Sequence, residues 1–252
     1  MSFEEKIKDW PGFGIALQAY GKRSFDALNW LNITLDKRTG MHLRLVKGAY
    51  WDYEIKHAQV SGYAGYPVFS KKSITDIAYL ACAKKILENK NIYAKFATHN
   101  AHTISSINYL GQSCEYEFQR LFGMGELLYK SASDILKLDK APSVYAPIGS
   151  YKDLLPYLVR RLLENGANSS FVNSLLDPTV PPSTLAEHPN QKVIAAINNL
   201  QHKKIVSPHN LFPQRKNSAG FDLSEPENLV SIFSTSEGLT FNFLANNILT
   251  LF

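Results

Sequence analysis

Tyr157, Arg160, Arg161 and Glu164 are spaced i, i+3, i+4 and i+7, which gathers them on one face of a helix. Two neighbouring guanidinium groups can hold a carboxylate through paired hydrogen bonds, and a glutamate one turn after Arg160 can keep it in place. The same spacing also describes a solvated charged face, and these residues alone leave both readings open. A second set of polar residues falls where short apolar runs stop: Gln18, Lys47, Thr98-His99-Asn100, Gln119 and Tyr145. In a parallel βα architecture the ligand lies across the C-terminal ends of the strands, so this set suggests a polar ligand held by several strand ends at once. Thr98 and Asn100 are also types that cap a following helix. Capping alone accounts poorly for the whole set.

Other chemistries find little support. Cys82 and Cys114 form no CxxC pair and have no metal-ligand spacing, so two reduced thiols and no metal site are expected. Gly123-Met124-Gly125 lacks the third glycine and the acidic partner of a dinucleotide fingerprint.

The elements that must position these residues alternate in type. Strand-like runs cover Gly14 to Tyr20, Met41 to Lys47, Ile92 to Thr98, Tyr116 to Leu121 and Ser143 to Ile148. Helical patterns cover Ser24 to Leu35, Ser73 to Asn89, Ala101 to about Leu110, a stretch after Gly125, and Lys152 to about Asn165. Short strands alternating with helices predict parallel βα units. Past Asn173 the texture changes. Asp177-Pro178 and Pro181-Pro182 mark a linker, a short helix is expected within residues 190–199, and His202 to Glu227 reads as polar loop.

Of 252 residues, 45% are hydrophobic and 19% charged, which supports a globular core. The formal charge of +5 is scattered rather than gathered into a stripe, so nucleic acid is not an expected partner. The first residues lack both a basic start and an apolar run, and the apolar end from Phe241 to Phe252 is too short for the roughly 20 residues of a span. A cytoplasmic protein, at most peripheral to the inner face of a membrane, is expected.

Several blocks carry a resemblance. Arg44-Leu45-Val46-Lys47-Gly48-Ala49-Tyr50-Trp51-Asp52 resembles the flavin-contacting strand of proline dehydrogenase. Phe96-Ala97-Thr98-His99-Asn100-Ala101-His102, Phe118-Gln119-Arg120-Leu121 and Tyr145-Ala146-Pro147 are similar to later blocks of the same family. The strongest match runs from Tyr157 to Asn165 (YLVRRLLEN), followed by Asn168 to Asn173 (NSSFVN). Order and spacing resemble the bifunctional proline utilization A family from about Trp10 to Asp177. Asn210 to Leu223 (NLFPQRKNSAGFDL) resembles the entry to that family's second enzyme, a glutamate-semialdehyde dehydrogenase.

The resemblance implies a fold and a set of roles. The fold is α/β: a partial (βα)8 TIM-like barrel, about its last five strands, in residues 1–175. A linker would occupy 176–209, and the start of the aldehyde dehydrogenase region 210–252. The activity implied is FAD-dependent oxidation of L-proline, with the membrane quinone pool as final electron acceptor. Arg160 and Arg161 would clamp the substrate carboxylate, and Tyr50, Tyr145, Tyr157 and Leu121 would wall its ring. Arg44 would lie near the flavin ring. Gln18, Val46, Lys47, Gly48, Ala49 and Trp51 would make strand-end contacts to FAD, and Thr98, His99, Asn100, Gln119, Glu164 and Phe171 would contact other parts of it. Ser70, Lys71 and Lys72 would approach its phosphate and adenosine end. Gly48 has a rationale of its own, since a missing side chain lets backbone approach a ligand.

The chain departs from the family in two ways. Phe122 stands where a histidine is usual, removing a polar group. The match also begins around the fourth strand of the barrel, so a substrate-binding lysine and an arginine-pairing aspartate cannot be assigned. Five strands of an eight-stranded barrel leave two open edges. The expectation is a chain that is unstable alone or pairs with a companion chain supplying the remaining strands. An inactive remnant is the alternative reading.

Overall fold

The computed structural model describes residues 10, 12–35, 40–166, 177–194, 200, 202–223 and 225–236. The chain divides into two compact units, Met1–Asp52 with Pro67–Ile205, and Tyr53–Tyr66 with Val206–Phe252.

The first unit is built on five parallel strands in sequential order: β1 (Gly14–Gln18), β2 (Met41–Val46), β3 (Ile92–Ala97), β4 (Tyr116–Leu121) and β5 (Ser143–Tyr145). Helices α1 (Ser24–Leu35), the start of α2 (Trp51–Ser61), α3 (Lys72–Leu87), α4 (Ala101–Leu110), α5 (Glu126–Leu136) and α6 (Tyr151–Gly166) follow the strands in turn. Two short helices, α7 (Pro182–Ala186) and α8 (Pro189–Ile194), come after α6. Side chains alternate between faces along a strand. On one face Met41, Leu43, Leu45, Ala94, Phe96 and Phe118 pack against Leu28, Tyr79, Ile86, Ile104, Ile107 and Tyr129 of the helices. Register places the other set in rows across the opposite face: Gly14, His42 and Tyr93; Ala16, Arg44, Lys95 and Glu117; then Gln119 beside Ser143 and Leu121 beside Tyr145. This second face is mostly polar and only half-buried.

The parallel βα order expected from the sequence is therefore found. The strands are shorter than their apolar runs: β1 stops at Gln18, β3 at Ala97 and β5 at Tyr145. Beyond β1 the Ala19 and Tyr20 N–H groups still donate to the Val46 and Lys47 carbonyls at 2.8 Å before the Gly21 N–H turns back to the Gln18 carbonyl at 3.1 Å, and after β3 Thr98 Oγ1 accepts the Asn100 N–H at 3.2 Å. Helix α2 was not anticipated. Its buried positions Ile55 and Ala58 sit three apart, but Tyr53 and Val60 fall on the exposed side, so the periodic signal is weak.

The second unit holds Tyr53 to Ser61 of α2, a 3-10 turn at Pro208–Asn210 and α9 (Pro226–Ser236), another helix not anticipated. The Tyr66 hydroxyl donates to the Val206 carbonyl at 2.6 Å, and the Gly220 N–H donates to the Gly62 carbonyl at 2.8 Å. Gly62 has φ +65°, and a Cβ there would meet the Ser218 carbonyl oxygen at 2.3 Å, so the position requires glycine. The polar stretch before α9 is otherwise loop, as its composition predicts.

Candidate active site

Strand β2 contributes the centre. Because Leu43 and Leu45 face the core, Arg44 must face the opposite side. Its guanidinium lies over the Tyr145 ring, 4.4 Å from the centroid, and its Nε is buried with no hydrogen-bond partner. After Val46 the chain turns through Lys47-Gly48-Ala49, and the Gln18 Oε1 accepts the Ala49 N–H at 3.3 Å. Gly48 has φ +134°, and a Cβ would fall 2.3 Å from the Tyr20 ring. The neighbour that demands glycine here is thus Tyr20, a reason inside the fold. Lys47 pairs with Asp76 of α3 and lies 5.9 Å from the Tyr79 ring centroid. The Trp51 indole donates to the Phe69 carbonyl at 2.8 Å.

Helix α6 contributes two cations, each over an aromatic ring. Arg160 lies 5.0 Å from the centroid of Tyr50, and Arg161 lies 5.3 Å from that of Tyr157. Burial raises the Tyr157 phenol above its ordinary pKa and the nearby Tyr145 adds to this, while Arg161 and Arg44 pull it down. These influences show that β2, β5 and α6 bring Arg44, Arg161, Tyr145 and Tyr157 into one electrostatic neighbourhood. Leu121 is buried at the end of β4, and the next residue's N–H, that of Phe122, donates to the Tyr145 carbonyl at 2.8 Å. The Phe122 side chain itself is exposed.

The 98–100 segment divides its labour. Asn100 caps α4, its Oδ1 accepting the Thr103 N–H at 3.0 Å. The Thr98 carbonyl accepts from the buried Tyr129 hydroxyl at 2.8 Å. Asn100 takes the capping role considered from the sequence for both residues, whereas the Thr98 hydroxyl instead accepts the Asn100 N–H at 3.2 Å. His99 differs: its Nε2 accepts the Leu121 N–H at 3.3 Å, which leaves Nδ1 to carry the proton of the neutral ring. Burial, with Arg161 and Arg120 nearby, lowers its pKa from the ordinary histidine value. Gln119 donates through Nε2 to Glu117 Oε1 at 2.8 Å.

Ser70, Lys71 and Lys72 stand at the start of α3, where Lys71 is the N-cap residue and the Ser70 hydroxyl oxygen accepts the His202 N–H at 2.9 Å. Glu164 lies on α6, but its side chain is outside the described part, and Phe171 lies outside the described residues altogether. A cavity of about 560 Å³ opens on the half-buried face, lined by Gly12, Gly14, Ile15, Ala16, His42, Arg44 and Lys95. Its lining follows the strand beginnings and the register row of Ala16, Arg44 and Lys95 rather than the strand-end residues. Sequence reasoning missed Asp76, Lys95 and Glu117, which hold polar members of this face. A signal existed for Glu117, which shares a strand face with Gln119 through the period of two. Neither residue class nor spacing pointed to Asp76. Among the described residues, no cluster of His, Cys, Asp and Glu is arranged for a metal. Cys82 is buried, its thiol pushed up to about 11 by burial, and so is inert.

Comparison with known proteins gives this arrangement a relationship. The protein described as Bifunctional protein PutA from Salmonella typhimurium is 45% identical over 249 residues, covering 93% of this chain and 19% of its own length. The mitochondrial Proline dehydrogenase 1 of Caenorhabditis elegans is 30% identical over 162 residues, covering 60% of this chain and 26% of its own. A crystal structure of bifunctional proline utilization A superposes with a TM-score of 0.83 at 44% identity, covering 93% of this chain and 24% of that one. This chain therefore spans about a fifth of the length of its bacterial relative. Residues 1–174 match the family described as Proline dehydrogenase, and the chain belongs to that family.

Proposed function

We propose that this chain carries the flavin- and substrate-binding C-terminal part of a barrel that oxidises L-proline to 1-pyrroline-5-carboxylate. The observation that carries this reading is the convergence of Arg44, Arg160 and Arg161 on Tyr145, Tyr50 and Tyr157 at one end of the sheet. Three cations beside half-open aromatic rings suit a small carboxylate with an apolar ring. Arg160 and Arg161 hold the carboxylate through paired hydrogen bonds, and Tyr50, Tyr145, Tyr157 and Leu121 enclose the carbon skeleton and exclude water.

The residues present fit FAD. The buried Nε of Arg44 lacks a protein acceptor, and the shape of the Gly48-Ala49 turn is fixed by the Tyr20 ring and by Gln18. Arg44, Gln18, Val46, Lys47, Gly48, Ala49 and Trp51 hold the ring end, with Thr98, His99, Asn100, Gln119, Glu164 and Phe171 along it. Ser70, Lys71 and Lys72 take the phosphate end. Bound flavin would accept the hydride that proline loses, while the proline nitrogen gives up a proton. Arg44 supplies a fixed positive charge at the ring, and neutral His99 offers its Nδ1–H as a donor.

The finer parts of this reading rest on the resemblance: a membrane quinone as later acceptor, a cytoplasmic or membrane-peripheral location, and residues 210–252 as the start of an aldehyde dehydrogenase region. No helix among the described residues is long and apolar enough to cross a membrane. A companion segment that pairs with the free edges of β1 and β5 completes the proposal, since each of these strands has one neighbour only in the described sheet. The test is visible absorbance of the purified chain, alone and coexpressed with a proline dehydrogenase N-terminal half, followed by anaerobic proline. Flavin absorbance that bleaches on addition of proline supports the reading. Colourless protein in both preparations supports the inactive remnant instead.

A further inference from the structure

Glu117 and Gln119 lie two residues apart on β4 and so project from the same face. The Gln119 Nε2 donates to the Glu117 Oε1 at 2.8 Å. The same carboxylate accepts from Lys95 Nζ at 3.3 Å and from the Tyr93 hydroxyl at 3.4 Å. Burial pushes the Glu117 carboxyl up, but hydrogen bonds from Gln119, Lys95 and Ser143 and the charge of Lys95 outweigh it and hold the group below its ordinary value. An ionised carboxylate has no proton to give. Only the amino end of the Gln119 amide can face it, so its carbonyl oxygen faces away, and that oxygen has no hydrogen-bond partner among the described residues.

We infer that Glu117 is a positioning residue: it fixes the Gln119 side chain so that the amide meets a bound ligand as an acceptor. A glutamine without such a neighbour can turn over and donate instead. The ligand group selected is an N–H donor, of the kind a flavin presents at the imide of its pyrimidine ring. The inference rests on the flavin reading for the identity of that donor, but the orientation of the amide is a property of the protein alone.

Two measurements test it separately. In the protein without flavin, the Gln119 side-chain amide protons exchange slowly and shift as hydrogen-bonded protons do, and E117A returns them to free-amide behaviour. Free-amide behaviour in the unsubstituted protein overturns the inference, whatever becomes of the flavin reading. The second compares FAD with its N3-methyl analogue, which lacks the imide proton. The unsubstituted protein prefers FAD by about tenfold, the value of one hydrogen bond of about 1.4 kcal/mol. E117A narrows that preference to about twofold, and E117D restores much of it. Equal loss of affinity for both flavins in E117A, the mark of a merely structural role, overturns the inference. If the protein binds neither flavin, the flavin reading fails, and the amide measurement still decides the orientation.

Discussion

The two faces of the five-stranded sheet follow the same backbone and do opposite work. On the helix-covered face Leu43, Leu45 and Phe96 are fully buried within one hydrophobic cluster. On the other face Arg44, Lys95, Glu117 and Gln119 are half-buried and held by ion pairs, rings and amides. Non-directional burial stabilises the first face in proportion to area, whereas the second gains little net free energy from its polar contacts. Geometry is what that second face supplies. The period of two along β2, β3 and β4 lets one short strand serve both ends, and a substitution on one face leaves the other intact.

That separation can be broken most forcefully from the packed side. Phe96→Ala removes a fully buried ring that touches Tyr116 and Phe118 at centroid distances of 5.7 Å and 6.5 Å. The expected loss is about 3–5 kcal/mol, read as a lower urea midpoint. A loss under about 1 kcal/mol shows that the packed face does not carry the fold. The second test works from the site. Arg161→Met keeps the length of the side chain over Tyr157 and removes its charge, with an expected hundredfold or greater drop in proline-dependent flavin reduction and a small change in urea midpoint. A fall in stability equal to that for Phe96→Ala erases the distinction between the faces.

How far the sequence could be read follows the same division. Alternation in Met41–Val46 and Ile92–Ala97 made the strands and their buried sets legible, because a strand with one packed face must alternate. The arginines of α6 were legible from helical spacing as a charged face, which the resemblance reads as a carboxylate clamp. Strand ends were less legible, since the local hydrogen bonds beside them, from the Gly21 N–H to the Gln18 carbonyl and from the Asn100 N–H to Thr98 Oγ1, leave no mark on hydrophobicity. The reason for Gly48 was not legible either. Tyr20 and Gly48 meet only after β1 and β2 pair, and nothing in the spacing of 28 residues between them announces the contact. Asp76 was out of reach for the same cause, as its partner Lys47 lies on another element.

Smaller effects sharpen the contrast within the polar face itself, between residues that hold the fold and residues that face the site. Asn100→Ala removes the α4 cap and should cost about 1 kcal/mol, measured by thermal melting, with flavin affinity unchanged if capping is its whole role. A loss of affinity larger than the loss of stability returns Asn100 to the site. His99 gives the smallest effect and one with a definite sign. Its pKa in the folded protein lies below the ordinary value of about 6.5, because burial and the neighbouring Arg161 and Arg120 disfavour the charged ring. Above that value both states hold a neutral ring and stability is undiminished by it. As pH falls through 6.5 the unfolded chain takes up the proton first, so stability declines until the folded-state pKa is passed, and then levels. His99→Gln abolishes this part of the acid slope and leaves the separate loss below pH 4.5 to which Glu117 contributes. An acid slope just below pH 6.5 that survives His99→Gln assigns it to another histidine, and the neutral donor at the strand end then loses its support.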